Sequence, residues 1–146
     1  PKVVIVGYGP TGQAAAHYLL ERQYHVLVID QNIDTISSLK GNAIEAIFGD
    51  ATQLQILEKA NLENVRLMII TTPDFSITQS IIKAAQNLNP YVRIIARSHF
   101  KSDFHHCELS NVSLVCDEEA SSEKMVQIIR SQLENSSIKQ SHDFKE

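Results

Sequence analysis

Residues 2–30 read KVVIVGYGPTGQAAAHYLLERQYHVLVID, and this stretch decides the fold. An apolar run, Val3–Val6, leads into the hexapeptide GYGPTG, which has the spacing G-x-G-x-x-G. A helix-compatible segment follows, and a second apolar run ends on Asp30. Strand, glycine turn, helix, strand and terminal acid in this order are typical of a dinucleotide-binding βαβ unit. We therefore predict that the chain binds an adenine nucleotide here.

The three glycines of the motif have different expected roles. Gly7 permits a tight turn, Gly9 lets the main chain approach a phosphate, and Gly12 lets the helix pack close to the sheet. The free N–H groups at the helix start would then face the phosphates. Asp30 would accept hydrogen bonds from ribose hydroxyls and repel a 2′-phosphate, and Gln31 supplies no compensating cation. NAD or another adenosine ligand without a 2′-phosphate is therefore favoured over NADP. The competing interpretation is a strand-to-helix turn that binds no ligand.

Composition and charge narrow the class of protein. The chain has 146 residues, of which 43% are hydrophobic and 21% charged, as expected for one globular domain. Its net charge of −4 argues against nucleic acid as a main partner, because there is no basic stripe to neutralise phosphates. No apolar run approaches the length of a membrane span. Two cysteines, Cys107 and Cys116, are too few for a disulfide framework.

Six apolar runs alternate with helical patterns along the chain. The predicted strands are Val3–Val6, Val26–Ile29, Ala43–Phe48, Leu67–Ile70, Val92–Ala96 and Val112–Val115. Most are continuously apolar, which is typical of parallel strands covered on both faces, whereas the third alternates and suits an edge position. We predict an α/β fold with a doubly wound, Rossmann-like parallel sheet of six strands in the order 3-2-1-4-5-6.

Capping signals and apolar periodicity mark the segments between these strands. Thr52 and Gln55 have the spacing of a capping box, and Asp74 is suited to cap the helix after the fourth strand. Asp117, with the two glutamates after it, suits the positive N-terminus of the last helix. One helical stripe comprises Ile77, Ile81, Ala84, Ala85 and Leu88.

A run of potential metal ligands lies at His105, His106 and Cys107. Adjacent residues on a helix point about 100° apart and rarely share one ion. Cys107 also continues an apolar stripe begun by Phe100 and Phe104. We interpret this run as a buried cysteine beside solvated histidines, and we expect no metal site.

Several segments together resemble the RCK family, the regulators of potassium conductance, also called KTN or TrkA-N domains. They are GYGPTG, VLVIDQN, IFGDATQLQILEKANLENV, MIITTPD and NPYVRIIARSHF. The GDAT element followed by L-x-x-A is the most distinctive of them. LNPYVRIIARS and VCDEEAS are most similar to the cytoplasmic C-terminal domains of Kef-type potassium/proton antiporters. The resemblance covers roughly residues 2–133, essentially all of the predicted ordered chain.

The resemblance implies a set of nucleotide-binding residues at the carboxyl ends of the strands. The motif glycines resemble the phosphate loop and Asp30 the ribose-binding acid, and Arg97 could meet a phosphate or a neighbouring subunit. The GDAT loop would lie along the adenine, and the TTPD loop over the distal half of a dinucleotide. The full set is Gly7, Tyr8, Gly9, Pro10, Thr11, Gly12, Asp30, Gln31, Asp50, Ala51, Thr52, Thr71, Thr72, Asp74 and Arg97.

Pro10 is a departure from the family pattern. Many relatives have Arg at this fourth position of the glycine motif, where it can pair with phosphate. Proline suits the first position of a helix, but it supplies no cation. The ligand is therefore expected to be NAD(H) or an adenine nucleotide of the AMP, ADP or ATP type.

In function, the resemblance implies a regulatory domain that gates a potassium transport system, most like a Kef-type potassium/proton antiporter. Residues 1–133 would form the nucleotide-binding lobe and residues 134–146 a polar, disordered tail, the whole being one domain of a longer protein. The expected partners are a second copy and the transmembrane antiporter domain of the parent chain. The domain would lie at the cytoplasmic face of the inner (plasma) membrane without inserting into it.

Two alternatives remain open from the sequence. The first is a soluble gating subunit of the Trk or Ktr type. The second is a fragment of an NAD-dependent oxidoreductase, but no Ser/Tyr/Lys constellation follows strands four and five. Asp74 is the only candidate general base in the TTPD loop, and helix capping is its more ordinary role. We therefore expect no enzyme activity and no catalytic residues.

Overall fold

Strands and helices alternate along the chain of this computed structural model. It describes residues 2–100, 103, 111–117 and 122–142, with the side chains of the last helix described at 124–135. The elements are β1 Lys2–Val6, α1 Pro10–Glu21, β2 His25–Asp30, α2 Ile33–Ser38, β3 Ile44–Phe48, α3 Leu54–Lys59, β4 Leu67–Ile70, α4 Phe75–Leu88, β5 Arg93–Ser98, β6 Val112–Cys116 and α5 Ser122–His142. A short 3₁₀ turn, Leu62–Asn64, precedes β4.

The strands form one sheet in the order β3-β2-β1-β4-β5-β6, and every described pair is parallel. The predicted Rossmann-like fold is therefore confirmed. β3 lies at one edge, as its alternating pattern predicted, and its Glu45 and Phe48 side chains are exposed. β1 lies between β2 and β4, so the glycine motif begins near the middle of the sheet.

Two apolar cores cover the two faces of the sheet. Successive side chains of a strand point to opposite faces, so Val4 and Val6 lie in one core, and Val3 and Ile5 in the other. Helices α3 and α4 cover the first core, and α1 and α5 cover the second. The small side chains Ala15 and Ala16, at most 1% exposed, allow α1 to lie close to the strands.

One strand boundary and one helix face differ from the predictions. β5 continues past Ala96 to Ser98, because it stays paired with β6, Arg97 beside Val115. Arg97 is thus a strand residue and not part of the loop after the strand. The buried stripe of α4 is rotated, with Thr78 in the core and Ile77 41% exposed.

The stretch expected to form a disordered tail is helical as far as His142. Residues 134–142 contain neither proline nor glycine, so no helix breaker ends α5 after its last contacts with the core. The run at His105, His106 and Cys107 lies outside the described residues, as does Phe104. Among the helices that are described, none combines the length and apolarity that crossing a membrane requires.

Ile69→Ala tests the central position of β4. Ile69 is fully buried and pairs with Ile5 on one side and Ile95 on the other. Truncating a side chain in such a site leaves a cavity, so we expect the free energy of unfolding in urea to fall by about 2–5 kcal/mol. The matched control is Ile33→Ala, whose side chain is 54% exposed and should change stability by at most about 0.5 kcal/mol. Equal losses in the two variants would contradict this packing.

Candidate functional site

The turn after β1 depends on Gly7. Gly7 has a φ of +90°, a conformation that residues with a side chain rarely adopt. Its N–H donates to the Ile29 carbonyl at 2.9 Å, which ties the turn to β2. The hydroxyl of Thr71 lies within hydrogen-bonding distance of two carbonyl oxygens, those of Val6 at 2.9 Å and Gly7 at 3.0 Å. A Cβ on Gly7 would collide with that hydroxyl.

Gly12 and Gly9 occupy very different surroundings. A Cβ on Gly12 would collide with the Gly7 carbonyl, so the close packing of α1 on the turn requires glycine there. Gly9 has an ordinary φ of −76°, and no described atom lies within 4 Å of the position where its Cβ would stand. The fold itself thus explains Gly7 and Gly12. The open space beside Gly9 is what the approach of a phosphate to the main chain would need.

Helix α1 begins at this open space without a capping side chain. Gly9 is its N-cap residue and Pro10 its first residue, and no side chain caps it. By contrast, Asn32 caps α2 and Asp74 caps α4, each accepting from two backbone N–H groups. The N–H groups in the first turn of a helix have no partner within the helix. Those of α1 are therefore oriented to bind an anion.

Asp30 connects the glycine turn to β2. One carboxylate oxygen, Oδ2, accepts from the Tyr8 N–H at 2.9 Å, and Oδ1 accepts from the Asn32 N–H at 2.8 Å. Each carboxylate oxygen has a second lone pair, and the residue is only half-buried, so ribose hydroxyls can still reach it. Gln31 beside it is exposed. The sequence predicted a ligand contact at Asp30, but not its hydrogen bond to the turn.

The GDAT loop lies beside Asp30, because Gly49 N–H donates to the Asp30 carbonyl at 3.0 Å. Asp50 Oδ1 accepts from the N–H of Thr52 at 2.9 Å and from its hydroxyl at 2.7 Å. The predicted capping box is therefore wrong: Thr52 bonds to Asp50, and the N-cap residue of α3 is Gln53, without a side-chain bond. Ala51 is 3% exposed with its methyl group in the core, so only its backbone can face a ligand.

The TTPD loop contacts both the glycine turn and helix α4. Thr71 is 5% exposed and bonds to the turn, as described above, so its hydroxyl is committed within the protein. The Thr72 hydroxyl lies 3.2 Å from that of Thr78 on α4. Asp74 caps α4 by accepting from Ser76 and Ile77, as its position in the sequence predicted. In this loop Thr72 is half-buried, and Pro73 and Asp74 are exposed.

Arg97 forms an ion pair that the sequence did not predict. Its Nε donates to Asp117 Oδ1 at 2.7 Å, and its Nη1 to the Thr71 carbonyl at 3.3 Å. Asp117 Oδ2 lies 2.6 Å from His99 Nδ1, which carries the hydrogen because a carboxylate only accepts. Asp117 was expected to serve the N-terminus of α5. The register between β5 and β6 is the feature that indicates this ion pair, because it places the residue after Cys116 beside the end of β5.

A cavity of about 420 Å³ adjoins these loops at the carboxyl end of the sheet. Its lining includes Asp74, Phe75, His99, Phe100 and Asp103. Cavities of this size hold small-molecule ligands in many proteins. Among the residues that the structure describes, no three His, Cys, Asp or Glu side chains are grouped so that they could hold a metal ion.

Comparisons with known proteins agree with this architecture. A family model described as the TrkA-N domain matches residues 3–131. The crystal structure of the TrkA-N domain of the inner membrane protein ybaL from Escherichia coli is similar to this chain at 27% sequence identity. Its TM-score is 0.76, and the match covers 91% of this chain and 94% of that one.

Two further similar structures were solved with nucleotides. The Kef CTD of Shewanella denitrificans in its AMP-bound form has 20% identity and a TM-score of 0.67, and the match covers 94% of each chain. The GsuK channel bound to NAD has 18% identity and a TM-score of 0.70. That match covers 78% of this chain and 21% of the channel chain. At these identities the two likenesses establish the shared fold.

Alanine at Gly12 and at Gly9 should differ strongly in their effect on stability. At Gly12 the new Cβ meets the Gly7 carbonyl, so we expect the unfolding free energy to fall by about 1–3 kcal/mol. At Gly9 the space is open, and we expect a change of at most about 0.5 kcal/mol, because a weaker N-cap is offset by a stiffer unfolded chain. Urea unfolding followed by circular dichroism measures both. A larger loss of unfolding free energy in Gly9→Ala than in Gly12→Ala would contradict the conclusion that the fold requires Gly12 and not Gly9.

Proposed function

The chain belongs to the TrkA-N domain family, and we propose that it is a regulatory domain that binds an adenine nucleotide at the glycine turn. The observation that carries the proposal is the open space at Gly9 beside the uncapped start of α1. Glycine at this position meets no need of the fold, whereas a phosphate bound by main-chain N–H groups requires it. The Asp30 carboxylate, held against the same turn by Tyr8, is then within reach of the ribose.

The proposed ligand is NAD(H) or an AMP-type mononucleotide. The similar GsuK channel was solved with NAD and the similar Kef CTD with AMP, which supports both forms. Asp30 disfavours a 2′-phosphate, since two negative charges would face each other across the ribose. Asp50 and the backbone of Ala51 would lie along the adenine, and the loop from Thr72 to Asp74 along the distal half of a dinucleotide.

We further propose that ligand binding regulates transport and is not followed by catalysis. At the lip of the site, Oδ1 of Asp74 accepts from two N–H groups of α4, which is the ordinary role of a helix cap. No Ser/Tyr/Lys constellation follows strands four and five to move a substrate proton. An oxidoreductase would in addition need a substrate pocket beside the nicotinamide. Transfer of hydride from NADH to a carbonyl substrate, followed at 340 nm, would contradict this proposal and revive the oxidoreductase alternative.

The transport system in this proposal is a potassium/proton antiporter of the Kef type, with a Trk or Ktr gating subunit as the alternative. The match over nearly the whole Kef CTD supports the first. The domain would act as a homodimer at the cytoplasmic face of the membrane, beneath the transporter. A ligand that binds two dimer arrangements with different affinity shifts their populations, and that shift would gate transport.

Calorimetric titration of the purified chain tests the site. We expect NAD⁺ and AMP to bind, and NADP⁺ to bind at least about tenfold more weakly than NAD⁺, because of the charge on Asp30. Gly9→Ala should weaken AMP and NAD⁺ binding by at least about tenfold with little loss of stability, because the methyl group occupies the phosphate approach. The control is Gly41→Ala on the α2–β3 loop. A Cβ meets open space there, but the φ of +84° strains an alanine, so stability should fall while nucleotide affinity stays unchanged. Unchanged affinity in Gly9→Ala would overturn the site assignment.

Light scattering after size exclusion tests the dimer. If the dimer contact lies at the carboxyl end of the sheet, where Phe100 is 59% exposed, Phe100→Ser should raise the dimer dissociation constant by roughly tenfold. Tyr91, which lines a cavity at the opposite end of the sheet, is 87% exposed, and Tyr91→Ser is the matched control with no expected change. A wild-type chain that stays monomeric at every concentration would contradict the proposed mechanism.

A further inference from the structure

Among the described residues, the carboxyl end of the sheet is poor in positive charge. Its described residues here are 7–12, 30–32, 49–53, 71–74, 97–99 and 117. They include four aspartates, Asp30, Asp50, Asp74 and Asp117, and one residue of the Lys or Arg type, Arg97. A phosphate bound at the glycine turn would therefore depend on main-chain N–H groups and on whatever charge Arg97 can provide.

Asp117 holds Arg97 through an arrangement that fixes both side chains. The 2.7 Å contact joins side chains that are 29% and 26% exposed, so water screens the pair only in part. His99 binds the other carboxylate oxygen, and the Asp117 N–H donates to the Ser98 carbonyl at 2.7 Å. Asp117 is thus held in place both by the contacts of its carboxylate and by the hydrogen bond of its backbone N–H. Its negative charge offsets the positive charge of Arg97.

Arg97 is linked to the glycine turn through a single residue, Thr71. Its guanidinium donates to the carbonyl of Thr71, and the hydroxyl of the same Thr71 contacts the Gly7 carbonyl. This chain of bonds sets Arg97 where its field reaches phosphates at the turn. The effect of Asp117 on that field must grow with the charge of the ligand, since Coulomb energy is proportional to it.

We propose that Asp117 determines ligand specificity, selecting weakly charged adenine nucleotides, NAD⁺ and AMP, over ADP and ATP. This inference rests on the proposed nucleotide site. By neutralising Arg97, Asp117 withholds the cation that a polyphosphate would need. NAD⁺ has about one net negative charge, AMP about two and ATP about four. The aspartates at this end of the sheet therefore disfavour ATP most.

Titration of the whole chain with AMP, ADP and ATP, without magnesium, tests the proposal. The wild-type chain should bind ATP at least about tenfold more weakly than AMP. Asp117→Asn keeps the shape of the side chain and removes its charge, so affinity should rise by about threefold for AMP and about tenfold for ATP. The double variant Arg97→Gln with Asp117→Asn should lose this gain, because no unpaired cation is left.

Two controls separate local charge from other effects. Glu63→Gln removes an exposed acid near the opposite end of the sheet and should leave the ratio of ATP to AMP affinity unchanged. Arg97→Gln alone leaves the Asp117 carboxylate without its arginine partner and in contact with His99. It should weaken ATP binding more than AMP binding, so it provides a second test if Asp117→Asn does not fold. These differences in nucleotide affinity should shrink as the salt concentration is raised, because screening weakens each charge–charge interaction.

The outcomes distinguish this inference from the function on which it rests. If AMP binds and the ATP to AMP ratio is the same in wild type, Asp117→Asn and Arg97→Gln, the nucleotide site stands and the role of Asp117 is overturned. If the wild-type chain prefers ATP, the inference is likewise overturned. If no adenine nucleotide binds the wild-type chain, both the proposed function and this inference fail.

Discussion

The left-handed backbone of Gly7 is the constraint on which the rest of the site depends. It reverses the chain directly after β1, so that α1 begins above the middle of the sheet. Thr71 at the end of β4 contacts this turn through its hydroxyl, and Asp30 at the end of β2 holds the next residue, Tyr8. Three neighbouring strands thus fix one turn. If the turn binds a phosphate as proposed, its geometry is built before any ligand arrives, and the ligand does not have to order it.

The acidic residues at this end of the sheet serve the structure and, in the proposed function, would also select the ligand. Asp30 and Asp74 accept hydrogen bonds from backbone N–H groups that would otherwise lack partners, and Asp50 does the same within its loop. Such bonds to a carboxylate are stronger than those between neutral groups. The same carboxylates create a negative field where phosphates would bind. A fold that stabilises its strand ends with aspartates must therefore bind phosphates through main-chain dipoles, or carry a cation that no acid neutralises.

The sheet and its strand order could be predicted from the sequence because they follow from continuous patterns. Buried parallel strands are apolar on both faces, and right-handed crossovers leave few arrangements. The positions of Gly7, Asp30 and Asp74 followed for a related reason, since each stands directly at the end of a strand or the start of a helix. What could not be predicted is how side chains choose among several partners. Thr52 had the spacing of a helix cap, but its hydroxyl donates a hydrogen bond to Asp50, two residues earlier.

Arg97 shows why such choices of partner cannot be predicted from the order of residues along the chain. Its partners come from two other strands, Thr71 from β4 and Asp117 after β6, and each is far away along the chain. A β5 that ended at Ala96 would free the arginine toward a ligand. One that continues to Ser98 sets it beside β6 and its following acid. A difference of two residues in a strand boundary thus decides whether Arg97 lies beside Asp117. If Asp117 acts as proposed, the register of the outer strands would set the ligand charge that the site accepts, as the glycine motif would set the position of the ligand.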